Sequence, residues 1–118
     1  MVELVRAKAT MIGLAGVLAL TMNVASAANN PTPVIAGPGA AIVNYLTPKV
    51  VLLKGRTLNF QNRDIAPHDV RSTNGLFNSA LIHLNQVTRV YGAERLVKGS
   101  YGFYCSIHTN MKGTIIVK

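Results

Sequence analysis

Two kinds of hydrophobic patterning divide the chain. Residues 11–22 (MIGLAGVLALTM) form one continuous apolar run, whereas from residue 49 onward apolar and polar positions alternate in short stretches. A two-residue period with β-branched and aromatic side chains is the mark of half-buried strands. Residues 49–54 (KVVLLK) form the first such stretch, and Gly55-Arg56 turns it into residues 57–60 (TLNF). A polar loop closed by Pro67 leads to His68-Asp69-Val70. Residues 80–84 and 87–91 read as further short strands, parted by Asn85-Gln86. Alternation turns Ala80, Ile82 and Leu84 inward and His83 outward. Gly99-Ser100 turns the chain into residues 101–105, and Gly113 opens a last strand, residues 114–118. Helical periodicity is nowhere sustained; residues 93–96 (AERL) make at most one turn. Seven or eight short strands separated by turn signals predict an all-β fold, an antiparallel sandwich or barrel.

The apolar run belongs to a different element. Arg6 and Lys8 precede it, and Ala25-Ser26-Ala27 follows with the small-x-small pattern of a signal-peptidase site. Residues 1–27 are therefore expected to be a signal peptide cleaved before Ala28. The run is short for a membrane span of about 20 apolar residues. Residues 28–118 form one small domain led in by residues 29–33 (NNPTP), expected in the periplasm or otherwise exported. A domain of this size has a modest core and commonly needs a disulfide or a metal. Cys105 is the only cysteine, so no disulfide can form within the chain. A lone thiol in an oxidising compartment points to metal.

Charge narrows the partners. Twelve Lys and Arg face four Asp and Glu, for a formal net charge of +8. The basic residues are scattered singly after residue 49, with no basic run and no nucleic-acid-binding motif, so nucleic acid is not the expected partner. Long-range attraction to an acidic protein or an anionic surface fits better.

The chemistry lies in residues 101–113 (YGFYCSIHTNMKG). Strand alternation sets Tyr101, Phe103 and Cys105 on one face. A tight loop must then fold His108 and Met111 back toward the thiol, in the pattern C-x2-H-x2-M. Alone, Met111 would read as core filler. Beside a thiolate and an imidazole it selects copper, because a thioether is a soft ligand that zinc and hard cations seldom take. Cys105 with His108 also has the outline of a nucleophile and its base, but no third group orients them. His68, in PHDV, supplies the fourth ligand. A trigonal His2Cys set with a long axial Met is the blue-copper arrangement.

The stretches KVVLLKGRTLNFQNRD, APHDV, GLFNSALI and GSYGFYCSIHTNMKGTIIV resemble the small cupredoxins, the plastocyanin and amicyanin group. The short step from His108 to Met111 is most similar to amicyanin. The resemblance implies a Greek-key β-sandwich with one copper ion at one end, held by His68, Cys105, His108 and Met111. It implies a monomeric one-electron carrier rather than an enzyme, docking a redox partner that is acidic at the contact. The alternative is a copper carrier or scavenger using the same four ligands. A multi-copper enzyme would need more than the three histidines present. Two positions depart from the family pattern. Asp69 stands where Asn is common; it can accept from a backbone N–H or the Ser106 hydroxyl but cannot donate, so an Asp69–Ser106 link and a lowered reduction potential are expected. Ile107 and Thr109 replace the prolines that often flank the second histidine.

Overall fold

Alternation in the sequence becomes alternation of burial. In β2 (Lys49–Leu52) Val50 and Leu52 are buried while Lys49 and Val51 face solvent. β3 (Asn59–Asn62) repeats the pattern, burying Phe60 and Asn62. The computed structural model describes residues 32–118. The other elements are β1 (Val34–Ala36), the short helix α1 (Ala40–Val43), β4 (Arg71–Ser72), β5 (Val87–Arg89), a 3-10 turn at Ala93–Arg95, β6 (Gly99–Tyr104) and β7 (Lys112–Val117).

They make two sheets, ordered β1-β3-β5 and β2-β7-β6-β4. The β3–β5, β4–β6 and β6–β7 pairs are antiparallel; β1–β3 and β2–β7 are parallel. The expected β-sandwich is therefore present, with long crossovers instead of hairpins alone. Phe60, Phe77, Phe103, Leu52, Leu58 and Ile115 fill the space between the sheets. Tyr45 stands edge-on to Phe60 and Phe103, with ring centroids 6.3 and 5.0 Å apart. Edge-to-face contacts of this kind contribute ~0.5–1.5 kcal/mol beyond burial.

Register gives the sandwich two distinct ends. Lys49 pairs with Thr114 and Tyr104 with Lys112 at one end; Leu52 and Gly99 both pair with Val117 at the other. β3 runs toward the first end, so the loop after Asn62 emerges beside the loop between β6 and β7. Those two loops carry the ligand candidates.

Several local expectations change. β1 and α1 were not signalled: three apolar residues are too few for a period, and α1 starts from Gly39 with φ 77° and no side-chain cap. β3 begins two residues later than alternation indicated, because Leu58 belongs to the turn and is fully buried there. Residues 80–84 form only a bridge from Ile82 to His68, and Ala80 and Leu84 face solvent instead of the core. β7 opens at Lys112, one residue before Gly113. Gly113 matters for packing instead: a Cβ there would clash with the ring edge of Phe103, its cross-strand partner. The proposed signal segment, residues 1–27, lies outside the described residues.

Candidate metal centre

Cys105 follows the last residue of β6 on the inward face and is fully buried. The loop after it closes on itself: Met111 N–H donates to the His108 carbonyl at 2.8 Å, and Cys105 N–H to the Met111 carbonyl at 3.2 Å. These two bonds fold His108 and Met111 back against the thiol. Met111 is fully buried and His108 partly exposed.

The His68 backbone exchanges both hydrogen bonds with Ile82, at 3.1 and 3.0 Å, which fixes where the imidazole approaches the thiol. Its Nδ1 lies 3.8 Å from Cys105 Sγ, and His108 Nδ1 lies 3.7 Å from the same sulfur. The three ligand atoms fall within 4.8 Å of one another, and the two rings stand 4.7 Å apart at 53°. Metal–N and metal–S bonds of about 2.0–2.3 Å in one plane would put neighbouring ligand atoms ~3.7 Å apart. The cluster is spaced for an ion, and no sulfur–nitrogen distance there is that of a strong hydrogen bond. All four residues singled out in the sequence come to one end of the sandwich. His83 is exposed, as expected, and is not part of the cluster.

Two carboxylates support the ligands from behind. Ser106 donates to Asp69 through its backbone N–H at 2.7 Å and its hydroxyl at 2.6 Å, and Arg71 Nε donates at 3.2 Å. The expected Asp69–Ser106 link is present, with Asp69 buried. It ties the segment bearing His68 to the loop bearing Cys105. The Tyr45 hydroxyl donates to the Asp69 carbonyl at 2.6 Å, and burial pushes the phenol's pKa up.

Asp64 is the residue that motif reading missed. Its Oδ2 lies 2.7 Å from His68 Nε2, and its Oδ1 accepts from Gly39 and Ile65 N–H at 3.1 and 2.9 Å. The hydrogen bond to His68 holds its carboxyl below the usual range. Buried Asn62 holds this loop in turn: its amide donates to the Ala66 and Ile82 carbonyls at 2.9 and 3.0 Å, and its oxygen accepts from Asp64 N–H at 2.9 Å. With Nε2–H on a carboxylate, Nδ1 is left as the free acceptor facing the thiol, which is the tautomer a metal needs. The D-x3-H spacing was readable, but one acid four residues from a histidine has no meaning until the loop's path is known. Two of the chain's four acidic residues thus stand directly behind this cluster.

Residues 11–117 match the family of the Cupredoxin-like domain. The chain belongs to the cupredoxins. Among curated relatives it is similar to amicyanin of Paracoccus versutus, 29% identical over 82 residues, and to amicyanin of Paracoccus denitrificans, 26% over 80 residues. These matches cover 68% and 66% of this chain and 62% and 61% of the relatives. Among solved structures it is similar to the novel purple cupredoxin of Nitrosopumilus maritimus, at 26% identity and a TM-score of 0.63. That likeness takes in 74% of this cupredoxin and 99% of the other.

Proposed function

We propose that this cupredoxin is an exported one-electron carrier whose single copper ion is held by His68, Cys105, His108 and Met111. The observation that carries the reading is the spacing of the two Nδ1 atoms about one buried sulfur, with a buried methionine on the same loop. Thiolate, two imidazoles and a thioether form the donor set of a type 1 copper site. Copper bound there supplies a Cu(I)/Cu(II) couple.

Each residue's part follows from its placement. Cys105, buried away from water, would be the strong thiolate donor to copper. His68, braced by Asp64, stays fixed when the charge at the site changes. His108 is the ligand with an edge toward solvent and is the route for the electron. Exposed Ile42, Val43, Ile65 and Ile107 belong to the loops and short helix at this end and give a partner an apolar surface. Asn110 joins the ligand loop to α1 through the Ala41 carbonyl at 2.8 Å. Lys112, exposed beside that loop, favours an acidic partner, and a small patch of this kind suits brief docking.

Export rests on residues 1–27, and the amicyanin relatives are consistent with a carrier. Among the described residues no helix is long and apolar enough to cross a membrane. Copper delivery is the competing use of the same ligands, and the burial of Cys105, Met111 and His68 weighs against it, since a donor must open its ligands to an acceptor. Protein-film voltammetry of the copper-loaded protein tests this. A reversible one-electron wave that persists over many cycles, with copper retained against a chelator, is expected. Loss of copper to the chelator within a few cycles would favour delivery.

A further inference from the structure

The fold sorts the positive charge that the sequence scatters. Lys54, Arg56 and Lys118 gather where β2 and β7 end: Lys54 N–H donates to the Lys118 carbonyl at 2.9 Å and Arg56 N–H to the Leu53 carbonyl at 3.1 Å. Gly99 pairs with Val117, bringing Lys98 to the same end, and Arg89 pairs with Asn59 at the start of β3. Arg95 lies in the connection that crosses this end. Six of the ten basic residues among the described ones therefore ring the end opposite the ligand cluster, all of them exposed, while Lys49, Arg63, Arg71 and Lys112 lie toward the cluster's end. Glu94, bonded to Arg95 at 3.1 Å, is the one acid among them. Six residues of β6 at ~3.3 Å each put about 20 Å between the two ends, more than a Debye length of about 8 Å. The basic end acts on its surroundings independently of the copper site.

We propose that this basic end docks on a bilayer carrying anionic phospholipid headgroups. Two observations favour a lipid surface over an acidic protein. The charges sit singly on long stems around a rim, with no closed aromatic-centred patch such as protein partners use. Apolar side chains stand between them: Leu53, Leu76 and Val97 are all exposed, and a cleft of about 310 Å³ beside Arg95 is lined by Leu76, Leu96, Val97 and Tyr101. Basic and apolar groups interleaved in this way suit the headgroup layer. Docked so, the protein turns His108 away from the bilayer, toward partners in solution.

The test uses residues 28–118. A chain almost wholly matched by 74% of this one exists as a solved structure, so the domain is a folding unit. Partition is measured onto phosphatidylcholine vesicles with and without phosphatidylglycerol. Binding only to the phosphatidylglycerol vesicles, weakened by added salt, is expected. It should fall at least tenfold in Lys54→Ser/Lys98→Ser and less than twofold in Lys49→Ser/Arg63→Ser, which removes equal charge at the other end. Equal losses in both variants would overturn the proposal, as would no binding at low salt. Capture of soluble polyglutamate without partition onto vesicles would overturn it in favour of an acidic protein. None of these readouts depends on copper.

Discussion

A single carboxylate, Asp64, carries much of what is particular to this site. It binds His68 Nε2 at 2.7 Å in a buried loop, so it acts on the metal through the ring: it fixes the tautomer and makes Nδ1 a better donor. Better donation favours Cu(II) over Cu(I). Asp64→Asn keeps an oxygen for the Nε2–H but removes the charge, and is expected to raise the reduction potential. The scale is ~59 mV for each tenfold loss of Cu(II) relative to Cu(I) binding. Asp64→Ala also removes the brace and should weaken copper binding by roughly 10–100-fold. Voltammetry and chelator competition on the two variants check this. Unchanged potential in Asp64→Asn would mean that the pair only positions the ring. Asp69 was legible in advance because it adjoins a ligand and because its acceptor-only carboxylate left few possible partners. Asp64 was not, since its role comes from a loop that Asn62 shapes through three side-chain hydrogen bonds.

At the scale of elements, the site is the end of a strand pair. Cys105 follows β6 directly, the next six residues carry His108 and Met111, and β7 leads away. The closure of that loop depends on β6 and β7 lying close, and Gly113 opposite Phe103 permits it. Gly113→Ala forces a methyl group against a ring that is 1% exposed and cannot swing away. Such overpacking costs ~1–3 kcal/mol, and each kcal/mol lowers Tm by about 4–8 °C in a domain of this size. A thermal melt of the metal-free variant is expected to show at least that fall; an unchanged Tm would mean the strands part without loss. The long strands and this loop were readable from alternation, although Gly99 and Gly113 lie inside β6 and β7 instead of before them. β1 and α1 were not, because three or four residues hold no period. Their positions follow from tertiary contacts, such as the Leu46 N–H bond to the Ile35 carbonyl and the Lys112 N–H bond to the Asn44 side chain.

At the scale of the whole molecule, the fold brings together candidate ligands that lie 37 residues apart in sequence, His68 and Cys105. Four candidate ligands could be named beforehand because Cys and His are rare in the chain and a soft thioether excludes most metals. The polarity of charge could not, since no basic run exists and only strand register decides which end a lysine reaches. Exposed Ile42, Val43, Ile65 and Ile107 stand at the end that holds the ligand cluster, and six exposed basic residues stand at the other. The account stands or falls on whether this assembly binds copper through the thiolate. The most direct measurement is the visible absorption spectrum of residues 28–118 titrated with Cu(II), beside Cys105→Ser. The predicted result is an intense thiolate-to-copper band at one equivalent, bleached reversibly by reductant and absent from the variant. A weak band at full stoichiometry, or one that survives in Cys105→Ser, would contradict it.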